Sequence, residues 1–169
     1  MANKSVDPAI RRYWQAFLDS LPLGSAHPLD DYQAWEFGNN PEMADELGEL
    51  VRQGKKTATA SLVWMFEAGL EPYPEVGDYH VILDGMGNPI CIIQTTELEV
   101  KAFDEVGEEH AYLEGEGDRS LHYWREAHWA FFAEECNKLR QVPNMQMPVL
   151  CEKFALVYTQ DHLNSRGHS

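Results

Sequence analysis

Two lysines and a run of hydroxyls stand together in Lys55-Lys56-Thr57-Ala58-Thr59-Ala60-Ser61, within a chain that is otherwise strongly acidic. A lysine shielded from water can give up its proton and act as a base, and a threonine hydroxyl next to it becomes a nucleophile. Lys56 and Thr59 are the pair for such chemistry. On an ideal strand residues at this spacing face opposite ways, so cooperation requires a bulge or tight turn near Thr57. In an extended strand Thr57, Thr59 and Ser61 share one face, with Ala58, Ala60 and Leu62 behind them. That makes a hydroxyl-lined pocket wall. The same stretch also reads as a helix end, two solvated lysines and a β-prone strand.

Carboxylates for proton handling come later. Glu114 and Glu116 are interleaved with Gly115 and Gly117, where a loop could deliver one of them to the lysine. Arg119 and Ser120 sit at the start of a helix, which favours anions. Trp35, Trp64 and Tyr79 offer rings for stacking on a base, although core packing explains them equally well. The histidines (His27, His80, His110, His122, His128, His162 and His168) form no HExxH and no cluster with cysteine, so no metal site is expected. His128 reads as a hydrogen-bonded core histidine. The chain shows no P-loop, dinucleotide fingerprint or nucleophile elbow.

These groups must be held by elements that the pattern makes legible. Asp7-Pro8 opens a helix whose apolar stripe is Ile10, Tyr13, Trp14, Phe17 and Leu18. Tyr32 to Phe37 predicts a strand, and Pro41 to Gln53 a second helix stopped at Gly54. Thr57 to Phe66 reads as one strand, with the continuous run Leu62 to Phe66 as a buried central piece. Tyr79 to Asp84 and Ile90 to Val100 flank the turn Gly85-Met86-Gly87-Asn88-Pro89, the second strand bending partway. Phe103 to Leu113 predicts a short acidic helix, Glu114 to Asp118 a flexible loop. Asp118 then caps a long helix striped by Leu121, Trp124, His128, Phe131, Phe132, Glu135 and Leu139. Val149 to Tyr158 is a closing strand. Helices and strands without a strict βαβ rhythm give an α+β fold, a mixed small barrel or strongly curved sheet of five to six strands with helices outside.

With 169 residues, 44% hydrophobic and 24% charged, the chain fits one globular domain. Its formal charge of −15 repels polyphosphate and disfavours strong, sequence-blind nucleic-acid binding. Cys91, Cys136 and Cys151 are widely spaced, which argues against a disulfide framework. Neither a signal-like run in Met1 to Pro8 nor a membrane-length apolar stretch is present, so a cytoplasmic setting is expected.

Gly54-x-Lys56-x-x-Thr59 resembles the GxKxxT signature of the ASCH superfamily, whose fold is a PUA-like β-barrel. The likeness extends to Trp35-Glu36-Phe37-Gly38-Asn39, Gly54 to Leu62, Val76 to Gly85, Ile90 to Val100 and Glu114 to Trp124, and is nearest to the larger YhfF-like branch. It implies a single ASCH domain over residues 1–159 with an N-terminal helical extension, and a flexible tail at 160–169.

The resemblance also implies a function. ASCH domains are similar to RNA-binding PUA domains, and small members are amidohydrolases that deacetylate N4-acetylcytidine. Their lysine and threonine match Lys56 and Thr59. Their glutamate follows a Glu-x-His-Ala element, here Glu108 to Ala111, and falls on Glu114. In that scheme Lys56 activates Thr59, while Glu114 positions the lysine or relays the proton. Trp35, Lys55, Thr57, Ser61, Arg119 and Ser120 become the substrate-binding candidates. Ser61 stands where the small enzymes carry arginine. Expected partners are RNA or a modified nucleoside, in a pocket at the barrel mouth. No cofactor is expected for the hydrolase. A divalent metal enters only under the rival reading, a metal-dependent ribonuclease. A non-catalytic RNA-binding module is the third reading.

Overall fold

The protein is described from a computed structural model over residues 4–24 and 31–160. The expected tail beyond Gln160, and His27, His162 and His168, lie outside the described residues.

Five strands form one mixed sheet. They are β1 (Tyr32–Glu36), β2 (Ala58–Leu62), β3 (Tyr79–Leu83), β4 (Pro89–Ala102) and β5 (Pro148–Tyr158), in the spatial order β1-β3-β4-β5-β2. β1 runs parallel to β3, and the remaining neighbours are antiparallel. Two irregularities bend the long central pair. Ile92 and Ile93 of β4 pair with Tyr158 and Leu156, skipping Val157. Thr95 and Glu97 pair with Phe154 and Lys153, skipping Thr96. Each extra residue is a bulge that sharpens the local twist, and the sheet curls into a half-barrel.

Helices cover both faces. α1 (Pro8–Ser20) starts where Asp7 accepts from the Ala9 amide and Pro8 presets the first turn. It lays Ile10, Tyr13, Trp14 and Phe17 against Ala34, Val81, Leu83 and Ile92. α2 (Pro41–Arg52) is capped by Asn40, and the chain leaves it through Gly54 at φ 78°. It packs on the other face, against Ile82, Cys91, Ile93 and Phe154. Val81 and Leu83 face one helix layer and Ile82 the other, which explains why the run Val81 to Leu83 is apolar on both faces.

The run expected to continue β2 does not do so. Val63–Glu67 forms a short helix, α3, and buries Val63, Met65 and Phe66. A continuous apolar run suits a buried helix as well as a buried strand, and only tertiary packing decides. The single helix expected over Phe103 to Leu113 is likewise divided. Phe103–Glu105 is one 3-10 turn, and α4 (Glu108–Glu114) begins only after Gly107. The long helix α5 (Leu121–Lys138) is capped by Ser120, not Asp118, because the Ser120 hydroxyl accepts the Tyr123 amide while Asp118 accepts that of Ser120. One stripe of α5 (Trp124, Phe132, Cys136) enters a core with Leu62, Phe103, Met147 and Val149.

The cysteines are free and buried. Among the described residues, no helix is long and apolar enough to cross a membrane. Phe132 is fully buried at the centre of the α5 core, so Phe132→Ala should lower the unfolding free energy by about 3–5 kcal/mol, read as a lower midpoint in urea denaturation.

Candidate functional site

Lys56 is only 1% exposed, yet it carries a charge. Its strand does not begin until Ala58, so strand alternation does not constrain it and its side chain turns inward. Its three N–H donors are all used: on the Ala58 carbonyl at 2.9 Å, Glu114 Oε1 at 3.1 Å and Glu116 Oε2 at 3.2 Å. The Phe37 ring lies 5.4 Å away, in cation–π range. Burial alone would strip the proton, but Glu114 and Glu116 outweigh it and the lysine pKa rises.

Glu114, the last residue of α4, is the most enclosed acid of the group. Oε1 faces Lys56 and His128 Nε2, the latter at 3.3 Å. Oε2 accepts from the Trp124 indole and lies 3.0 Å from His110 Nε2, which is out of hydrogen-bonding alignment. Burial opposes its charge. The nearby His128 and Lys56 overcome that and hold the carboxyl well below its ordinary range. This carboxylate is a fixed anion, a poor carrier of protons. Glu116 differs: it makes one contact with the lysine, keeps some exposure, and burial raises its pKa. The flexible loop expected here is in fact anchored. Gly115 has φ 71°, and a Cβ there would lie 2.5 Å from the Lys55 carbonyl oxygen, so only glycine lets the two segments touch.

His128 stacks on Trp124 one turn before it, with ring centroids 4.2 Å apart. Nδ1 faces the Trp124 carbonyl at 2.9 Å and Nε2 faces Glu114. Both partners can only accept, so the ring is doubly protonated. Its pKa is raised accordingly: burial works against the charge and Glu114 prevails.

These groups floor a cavity of about 160 Å³, room for on the order of ten waters and hence for a heterocyclic ring. Thr59 and Ser61 of β2 open onto it. Its walls are mostly apolar, with Trp35, Phe37, Leu47, Phe66 and Phe131 among them. Five glutamates line it (71, 114, 116, 135 and 152), against the cations Lys56 and His128. Glu135 is pushed up to about 7 by burial and then by Glu71. His80 is driven down to about 4 by burial and stays neutral. It accepts from the Trp35 indole at 3.0 Å and faces Thr95 Oγ1 at 3.0 Å.

A family model described as ASCH domain matches residues 33–158. The chain belongs to the ASCH domain family. An ASCH domain from Lactobacillus crispatus JV V101 has a crystal structure that superposes with a TM-score of 0.82 at 30% identity, over 92% of this chain and 98% of that one. A protein from Enterococcus faecalis V583 superposes at 0.79 with 35% identity, over 93% of each chain. No curated protein matches the chain.

In this ASCH domain, Lys56 and Glu114 touch, and Thr59 lines the same cavity, although no hydrogen bond joins Lys56 to Thr59 among the described residues. Trp35 and Ser61 also line it. The other four substrate-binding candidates do not. Lys55 is exposed, and Thr57 donates to the Leu113 carbonyl at 3.3 Å. Arg119 lies over the Tyr112 ring and donates to the Tyr112 carbonyl, and Ser120 caps α5. Sequence reasoning did not single out His80, Thr95 or Glu152, and it set His128 aside as a core residue. One signal was available: Glu152 interrupts the apolar run Val149-Leu150-Cys151, an unusual place for a charge. Glu114, Glu116 and His128 bring three potential ligand atoms within 4.8 Å of one another. A divalent ion there would compete with the Lys56 ammonium, already seated between the two carboxylates.

Two outcomes follow. Stability from ionised Glu114 is whole above the ordinary carboxyl value of 4.5 and drains as pH falls through its lower folded-state pKa. Lys56→Met leaves two buried carboxylates without their ammonium and should cost about 3–5 kcal/mol near neutral pH. Protonation relieves their repulsion, so the deficit should narrow in acid, a trend that urea titrations at neutral and mildly acidic pH would reveal. Imidazole nitrogen-15 NMR at neutral pH should show His128 doubly protonated and His80 neutral with its proton on Nε2. The His80 signal should hold until the pH approaches about 4.

Proposed function

We propose that the cavity takes an uncharged modified nucleoside and that the protein hydrolyses an amide on it, of the N4-acetylcytidine type. The observation that carries this reading is a single buried ammonium, clasped by two carboxylates, on the floor of an apolar-walled cavity that also receives the Thr59 hydroxyl. An apolar pocket with a few convergent polar groups is the usual form of a small-molecule site. Five glutamates around it repel phosphate, which favours a nucleoside over a polynucleotide.

The electrostatics support a distribution of roles in which Lys56 stays charged. An ion-paired ammonium is no base, but it stabilises negative charge that develops on a carbonyl oxygen. Because its donors are taken, a substrate carbonyl reaches it by displacing Glu116, which sits between two glycines at φ 71° and 58°. Glu116 then accepts the Thr59 proton as Thr59 Oγ attacks the carbonyl carbon. Breaking the C–N bond returns that proton to the leaving amine. Water next cleaves the acyl-threonine ester, giving acetate and free enzyme. Glu114 holds Lys56 in place throughout.

Purified protein incubated with N4-acetylcytidine should release cytidine, followed by chromatography. Thr59→Ala, Lys56→Met and Glu116→Gln should each slow it by about 10²-fold or more. Cleavage of single-stranded RNA that stops on adding chelator would instead support the ribonuclease and give the Glu114, Glu116 and His128 atoms a metal. RNA binding with neither activity would leave a binding module.

A further inference from the structure

Another wall of the cavity carries a hydrogen-bond chain that the hydrolytic scheme leaves unused. Its direction is forced from one end. The Trp35 indole can only donate, so His80 Nδ1, 3.0 Å away, must accept. The neutral ring then has its proton on Nε2, 3.0 Å from Thr95 Oγ1. Thr95 in turn donates its own hydroxyl hydrogen bond to Glu152 Oε2 at 2.6 Å. Each link leaves the next group a single role, and Oε2 ends as an acceptor. His80, Thr95 and Glu152 are 2%, 1% and 6% exposed, so water barely reaches the chain.

The other carboxylate oxygen, Oε1, is in a different position. No donor among the described residues hydrogen-bonds to it, and Glu152 lines the cavity. The cation-capable ring behind it, His80, is neutral, with Nε2 3.9 Å from Oε2. Oε1 therefore opens onto the cavity, where its donor must come from water or from a ligand that displaces it. Glu152 also pairs across the ladder with Thr59. Residues opposed in this way share a face of the sheet, with Cβ atoms about 5 Å apart. The carboxylate therefore stands beside the proposed nucleophile. The bulge at Thr96 lets Thr95 reach it, since Glu152 itself is in register with Leu98.

We propose that Glu152 orients the ligand, its Oε1 accepting a hydrogen bond from the N–H of an amide- or amino-bearing heterocycle, with Trp35, His80 and Thr95 as positioning residues that hold the carboxylate in place. This rests on the nucleoside reading of the same cavity and names the group recognised: a secondary amide fits, a tertiary amide does not. A site built to receive an N–H discriminates strongly, because the analogue without it leaves the buried acceptor unpaired.

The test is calorimetric titration of Thr59→Ala protein, which removes the proposed nucleophile, with N4-acetylcytidine and with its N4-methyl derivative, which has no amide N–H. The first should bind about tenfold tighter or more. Adding Glu152→Gln, which turns a cavity-facing acceptor into a donor, should erase the preference. Thr95→Val should weaken it and Thr95→Ser should restore it, a pattern that mere loss of packing does not produce. Equal binding of the two probes, or a preference that survives Glu152→Gln, overturns the assignment. Wild-type hydrolysis is scored separately. Hydrolysis without N–H discrimination sinks this inference and spares the catalytic one, whereas discrimination without hydrolysis does the reverse. Binding of neither probe, with no hydrolysis by the wild type, sinks both.

Discussion

A charged lysine enclosed by protein is the constraint around which the site is arranged. An ammonium leaves water only if its donors are met and its charge is opposed. The chain meets both conditions with one local group, the Ala58 carbonyl, and two distant in sequence, the glutamates at the end of α4 and in the turn beyond it. Glu114 then needs partners of its own, and α5 provides them through Trp124 and His128. The requirement passes outward, from lysine to glutamate to imidazolium to a helix carbonyl. α5 thus contributes a core stripe, and its neighbouring face supplies the counter-charge.

Much of this is legible in the sequence. Asp7-Pro8 and Asn40-Pro41 marked two helix starts because capping is local chemistry, set by adjacent residues. The lysine–glutamate contact followed from the family resemblance and not from spacing, since nothing in the strand period brings Lys56 to Glu114. What escaped was decided by tertiary contact. Leu62 to Phe66 has no periodicity separating a buried strand from a buried helix, and it became α3. His128 lay on an apolar stripe, and only the packing of α4 against α5 reveals that it faces a carboxylate. Thr95 and Glu152 meet because β4 holds one residue more than its partner at that point, a register detail that no pattern of side chains announces.

The cavity combines two environments. Its apolar walls lower the local dielectric, which strengthens every charge interaction at the floor. Burial raises the pKa of Glu116 and Glu152, and with Glu71 nearby it brings Glu135 to about 7. The acids therefore behave differently despite their shared residue type. Glu114 is fixed as an anion, while Glu116, Glu135 and Glu152 lie nearer to protonation. Environment, rather than identity, separates a structural carboxylate from those able to exchange protons.

The strand order has a consequence for how the molecule comes into being. β2, with Thr59, makes its ladder with β5 and not with any strand that precedes it in synthesis. Until residues 148–158 emerge from the ribosome, β2 has no neighbour to hydrogen-bond, and Glu152 does not yet exist. The hollow is therefore among the last parts to assemble, through long-range pairing that is intrinsically slow. A nascent chain halted before β5 would have every partner of its lysine but no strand to hold Thr59 in register beside it.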